Sequence, residues 1–181
     1  EELWGWMHKI PDIVEDVIKG TEKEVIRLAK RFAGVERFAF VGAGINLATA
    51  LEGRLKLLEI AYAPSIATSE LDSTLMEALG HGAVAIFICP SSPNGREPIL
   101  SAANEASDNG LTTLVLAHDG DDEAKEVCDV LLSLPVSPEV PEVLTPLPYI
   151  VPLQMFAYYV SVERGLNPDK PRNLAKSVTV K

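Results

Sequence analysis

Four short stretches of this chain are dominated by apolar residues without alternation: "RFAFVGAG" (37–44), "AVAIFICP" (83–90), "LTTLVLA" (111–117) and "VCDVLLSL" (127–134). A strand with one wet face alternates polar and apolar side chains, whereas an unbroken apolar run has both faces covered. Segments with helical character stand between these runs, at 46–62 and 96–110, the second stopped by Asn109-Gly110. "PSIATS" (64–69) adds a weaker strand and "ELDSTLMEALG" (70–80) a short helix. Buried strands alternating with helices specify a parallel sheet sandwiched between two helical layers. The expectation is therefore a doubly wound α/β domain. Ligands in such sheets bind beyond the carboxyl ends of the strands, near the point where strand order reverses.

The flanks complete the outline. Residues 11–33 carry Ile13, Val14, Val17, Ile18, Val25, Ile26, Leu28 and Ala29 at helical spacing, with an interruption expected near Gly20. A proline-studded connector (135–148) after the acidic turn "HDGDDE" and the last strand leads into the largely apolar helix "YIVPLQMFAYYVSVERG". With 181 residues, 47% of them hydrophobic, the chain is large enough for one full core and cramped for two.

Charge and composition exclude several functions. The net charge of −10, with no basic stripe, argues against a nucleic-acid binder. No apolar run approaches the roughly 20 residues that span a bilayer, so no membrane segment is expected. The start "EELW" lacks the basic-then-apolar pattern of a signal peptide. Cys89 and Cys128 are too few for a disulfide framework and read as buried thiols in strands, which fits a cytoplasmic protein. His8, His81 and His118 have no metal-ligand spacing, and neither a metal nor a cofactor is expected.

Three places could carry chemistry. The turn "VGAGIN" (41–46) has two glycines of a dinucleotide fingerprint but Leu47 where the third belongs, and no acidic residue closes the second strand. It reads as a tight strand-to-helix turn. The turn "CPSSPNGRE" (89–97) offers Ser91 and Ser92 at a helix start, either a phosphate cradle or a plain helix cap, with Pro90 and Pro93 each removing an amide donor. In "ALEGRLKLLEIAY" (50–62), Leu51, Leu55, Leu58 and Tyr62 form a stripe expected to face the sheet, and Glu52, Lys56 and Glu59 form a second stripe on its flank. Those three charges are either a surface ion-pair ladder or a carboxylate tuned by an ammonium for proton transfer beside a carbonyl. Periodicity leaves both open.

Taken together, "ALEGRLKLLEIAY", "VPLQMFAYYVSVERG" and the tail "LNPDKPRNLAKSVTV" resemble the C-terminal SIS (sugar isomerase) domain of the glucosamine-6-phosphate synthase, or glutamine–fructose-6-phosphate transaminase (isomerising), family. The resemblance covers residues 35–181 and makes residues 1–34 a helical linker. It implies a three-layer αβα, flavodoxin-like fold with five parallel strands. It also implies aldose–ketose interconversion at C1 and C2 of a hexose 6-phosphate, in the transaminase or in a deaminase or deglycase direction. Glu59 then shuttles the proton, Lys56 sits beside the substrate oxygens, and Lys176 of the tail meets the sugar carbonyl, with Ala175 offering a backbone contact. Glu52, Ser91 and Ser92 are the further candidate substrate contacts. Ser73 stands where the family carries a ring-opening histidine; without it, a non-catalytic sugar-phosphate sensor is the alternative. The implied partners are a second SIS domain or subunit, with a homodimer as the default.

Overall fold

The computed structural model describes residues 2–92 and 95–172. Its centre is a five-stranded, all-parallel sheet in the order β2-β1-β3-β4-β5, built from Phe38–Gly42 (β1), Ser65–Thr68 (β2), Val84–Ile88 (β3), Thr112–His118 (β4) and Val130–Leu134 (β5). The helices are Glu2–Phe32 (α1), Asn46–Ala61 (α2), Ser73–Leu79 (α3), Arg96–Asp108 (α4), Asp122–Glu126 (α5) and Pro146–Glu163 (α6). This is the three-layer αβα arrangement with flavodoxin-like strand order that the apolar runs and the resemblance imply.

Strand alternation sorts the core into two halves. Phe38 and Phe40 of β1, Ile86 and Ile88 of β3, and Leu114 and Leu116 of β4 point toward α1, α2 and α6. Ala39, Val41, Ala85, Phe87, Val115 and Ala117 point the other way, toward α3, α4 and α5. On the first face α6 lies between α1 and α2, and Val17, Val25, Leu28 and Phe32 bring α1 into the same core. Helix α1 thus packs as part of this core, and residue 34 lies in the loop that joins it to β1.

Several expectations are corrected. Helix α1 runs unbroken through Gly20, where a side chain would press on Pro135: an ideal Cβ there lies 3.2 Å from the proline Cγ. The glycine is a contact point between helix and connector, and the helix does not need to break at it. The acidic turn contains α5, whose N-cap Asp121 accepts a hydrogen bond from the Ala124 N–H at 3.0 Å. The last strand consequently starts at Val130, and Cys128 is half-buried ahead of it while Cys89 is fully buried. The connector's 3₁₀ turn, Glu142–Leu144, together with α6 gives 22 residues long and apolar enough, by length and composition, to cross a membrane. Half of that stretch is buried here, since Tyr149, Leu153, Phe156 and Val160 fill the core beneath α1 and α2.

The largest correction concerns α2. Leu51 and Leu55 are 47% and 39% exposed, and the face against the sheet is Asn46, Thr49, Ala50, Gly53, Leu57 and Ala61. Close approach explains it. An ideal Cβ on Gly53 would lie 2.8 Å from Leu153 Cδ1 and 3.1 Å from a Phe40 ring carbon. Helix, sheet and α6 meet there with no room for a leucine, so the small residues turn inward and the leucines outward. Replacing Gly53 by valine should cost about 1–3 kcal/mol through overpacking, read as a lower urea midpoint at unchanged slope.

Candidate functional site

With Gly53 and Leu57 inward, the charged stripe of α2 stands on the outer surface of the helix. Lys56 Nζ donates to Glu59 Oε2 at 2.8 Å and lies 3.5 Å from Glu52 Oε1. Glu59 is the most sheltered of the three, its side chain 21% exposed against 32% for Lys56 and 37% for Glu52. The Glu59 carboxylate bonded to Lys56, helped by the Glu52 charge, holds that ammonium above the usual lysine range. Lys56 is therefore a fixed cation through neutral and mildly alkaline pH, with a carboxylate beside it. A base and a cationic donor side by side are what proton transfer next to a carbonyl requires.

The rim of this stripe is apolar. Exposed Leu51 and Leu55 run along one side, and a shallow groove of about 210 Å³ between Glu52, Ala48, Leu147 and Ile150 borders the other. The charged groups are thus flanked by exposed hydrocarbon on the helix face.

Three residues beyond Glu59 the chain does something unusual. Tyr62 caps α2 in the left-handed region (φ 52°, ψ 33°), where α2 ends and the loop to β2 begins. Its hydroxyl accepts the backbone N–H of Arg172 at 2.5 Å, and the Arg172 guanidinium sits 4.2 Å from the ring centroid. That N–H, together with the charge above the ring, holds the phenol below the usual tyrosine range. Arg164 braces the region from beneath. It donates to the carbonyls of Ala33, Ala61 and Val35, fastening the ends of α1 and α2 to α6. The tail therefore leaves the described fold at the same end of α2 that carries Glu59. Lys176 and Ala175 lie outside the described residues.

Ser91 and Ser92 are elsewhere. Gly95 (φ 91°) packs against Ala43, with an ideal Cβ only 2.5 Å from the alanine Cβ, so Cys89, Pro90 and Gly95 lie beside the start of α2. Glu59 is thirteen residues further along that helix, about 20 Å away at 1.5 Å per residue. The structure does not bring these serines to Glu59. Among the described residues, the crevice between Ala43, Asn46, Cys89 and Gly95 encloses only about 10 Å³, the space of a single water and far too little for a sugar phosphate. Ser91 Oγ is buried without a hydrogen-bond partner among the described residues. Asn46 spans the crevice floor, donating to Thr145 Oγ1 at 2.8 Å. Ser73 is exposed in the first turn of α3, on the opposite face of the sheet from α2.

Sequence patterning gave no sign of two polar assemblies. The Tyr62–Arg172 contact depends on a backbone conformation that no residue pattern announces. The other is the cluster in which Arg96 bridges Asp121 at 2.6 Å and Glu123 at 3.2 Å and contacts Cys89 Sγ at 3.4 Å. Burial works against the Asp121 charge, but Arg96 and the Ala124 N–H outweigh it and hold the carboxyl below the usual range. Burial pushes the Cys89 thiol up to about 12, so it is an inert packing group. This cluster ties α4 to α5.

The SIS domain family model matches residues 31–164. The chain is 38% identical over 181 residues to the glutamine–fructose-6-phosphate aminotransferase (isomerizing) of Methanothermobacter thermautotrophicus, covering 99% of this chain and 30% of that protein. It is 39% identical over 184 residues to the enzyme of the same name from Thermococcus kodakarensis, covering 99% of this chain and 29% of that one. The chain thus spans about a third or less of the length of these relatives. Its fold superposes on the C-terminal domain of glucosamine-fructose-6-phosphate aminotransferase from Francisella tularensis with a TM-score of 0.77 and 22% identity, covering 88% of this chain and 45% of that one. A five-stranded parallel sheet, an outward acid–amine stripe on α2 and a family match over most of the chain lead to one conclusion: this protein belongs to the SIS domain family.

Proposed function

We propose that this chain supplies one half of an isomerase site acting on the open chain of a hexose 6-phosphate, with fructose 6-phosphate and glucosamine 6-phosphate as the substrate pair. The observation that carries the reading is the 2.8 Å Lys56–Glu59 pair on the outer face of α2, at the helix end where Arg172 is held. The aminotransferase names of the relatives support the substrate class.

In the reaction, Glu59 takes a proton from one of the two carbons, C1 or C2, and the electron pair moves onto the neighbouring carbonyl or iminium. Lys56, charged at working pH, stabilises the oxygen that gains charge in the enediol- or enolamine-like intermediate. Glu59 then returns the proton to the other carbon, while the hydroxyl on the first carbon gives up its proton, to the neighbouring oxygen or to solvent, and becomes the new carbonyl, so the carboxylate is restored and no oxidant or reductant is consumed. Lys176, on the segment that follows Arg172, is assigned to the sugar carbonyl. The exposed leucines around the stripe and the greater length of the relatives support a second SIS unit, on the same polypeptide or on another subunit, as the cover that completes the site and contributes the phosphate contacts. Charged chemistry of this kind is far stronger once bulk water is excluded.

Glu59→Gln, which is isosteric and cannot take the proton, should abolish exchange of the C1 and C2 hydrogens with solvent deuterium, followed by proton NMR, while sugar-phosphate binding persists. Retained exchange removes Glu59 as the base. Deleting residues 171–181 should reduce turnover by at least about a hundredfold, the order lost with an electrostatic catalytic group, and change the thermal midpoint little. A large loss of midpoint with unchanged turnover would make the tail a structural element only.

A further inference from the structure

We propose that the cavity at the amino edge of the sheet, between the α1–β1 loop and the end of α6, binds a small phosphate monoester through Arg37, Arg164 and Tyr62. The cavity holds about 580 Å³, within the range of small-molecule sites, and lies where β1 and β2 begin. Val35 and Pro64 give it apolar walls, and its lining residues all fall between positions 33 and 164.

Charge sets this cavity apart. The chain carries a net charge of −10, yet two arginines meet here, and Arg172 adds a third guanidinium 4.2 Å from the centroid of the Tyr62 ring on the cavity wall. Among the described residues none of the three is ion-paired with a carboxylate. Arg164 makes the point most sharply. It is half-buried, and burial alone acts on its charge, with no acid to offset the cost. A guanidinium keeps its proton even so, and it has five N–H donors. Three of them go to the carbonyls of Ala33, Ala61 and Val35, and the other two have no acceptor among the described residues. Bracing the loops thus leaves a partly desolvated charge uncompensated and donors unused.

Tyr62 Oη already accepts the Arg172 N–H at 2.5 Å, so its own proton is left to donate. Guanidinium forks and a phenol O–H are the donors that match phosphate oxygens, and a phosphate dianion brings the negative charge that the arginines lack. Glu36, the one carboxylate on the described wall, selects the rest of the ligand. It repels a bare anion and accepts hydroxyl groups. An ester with hydroxyls at its other end therefore fits better than inorganic phosphate.

The test is titration of the isotope-labelled chain with glycerol 3-phosphate, followed by proton–nitrogen NMR, against inorganic phosphate and against sodium chloride at matched ionic strength. Saturable shifts should appear at the amides of Gly34, Val35, Arg37 and Tyr62 and at the Arg164 Nε–H. Inorganic phosphate should bind more weakly, and chloride should not reproduce the pattern. Arg37→Gln, at an exposed position that leaves the fold alone, should weaken the affinity about tenfold, the order lost with a charge-assisted hydrogen bond, and Tyr62→Phe by a smaller factor. Lys56→Gln, on the α2 stripe, should leave it unchanged.

Absence of saturable shifts, the same shifts with chloride, or an affinity that Arg37→Gln leaves intact would overturn the site. Binding lost in Lys56→Gln would move the anion to the α2 stripe and overturn it equally. Tighter binding of a hexaglutamate peptide than of glycerol 3-phosphate would give the cavity to an acidic protein segment and overturn the small-molecule assignment. The site makes no use of Glu59, so this titration and the deuterium-exchange assay fail separately.

Discussion

The rest of the structure depends on how closely α2 approaches the sheet. At Gly53 there is no space for even a methyl group between Phe40 below and Leu153 of α6 alongside. That one contact fixes the rotation of the whole helix, because side chains on a helix are 100° apart and cannot be turned independently. Once Gly53, Leu57 and Ala61 are inward, Leu51, Leu55, Glu52, Lys56 and Glu59 have no choice but to face out. A leucine-inward rotation would bury more hydrocarbon per residue, yet it would push α2 away from both neighbours and open voids along two interfaces. Tight packing of small residues wins over burial of large ones.

The outward stripe is weak as a stabilising device. Exposed ion pairs on a helix contribute only about 0.3–0.5 kcal/mol each, and an apolar collar beside them has a solvation cost of its own. In the proposed reaction both features find a use when another surface closes over them. The leucines lose contact with water, and the Lys56 charge acts through a medium that screens it less. The shut crevice at the usual ligand position fits this division of labour. Among the described residues, Gly95 packed on Ala43 leaves room for about one water, and the sheet supports α2 from behind.

Much of this was legible in the residue pattern, and its failures have a common cause. Unbroken apolar runs located every central strand, because a strand covered on both faces admits few other compositions. The charged trio was legible as a stripe, since i, i+4 and i+7 spacing is a property of the helix itself. The resemblance supplied its role. What the pattern missed depended on neighbours distant in sequence. The rotation of α2 is set by Leu153, a hundred residues away, and periodicity chose the larger apolar stripe in ignorance of it. Gly20 looked like a helix breaker because its partner, Pro135, lies in another part of the chain. That the Ser91–Ser92 turn lies about 20 Å, or about thirteen helical residues, from Glu59 was not legible, because sequence gives no measure of that separation.

Tyr62 shows the same logic from the opposite side. A left-handed tyrosine cannot be inferred from its neighbours, because every local preference argues for glycine at that cap. It becomes intelligible only when Arg172, 110 residues later, is seen resting on it. A local strain that persists must be offset by something non-local, and the non-local contact found here ties Arg172 to the helix bearing Glu59. The fold holds Glu59 on a helix braced by Arg164 and fastens Arg172 at the turn that follows it. In the proposed reaction an acid–base group and an amine act on the same few atoms, and holding Glu59 and Lys56 still is the requirement that matters most, since reacting groups misplaced by an ångström lose much of their advantage.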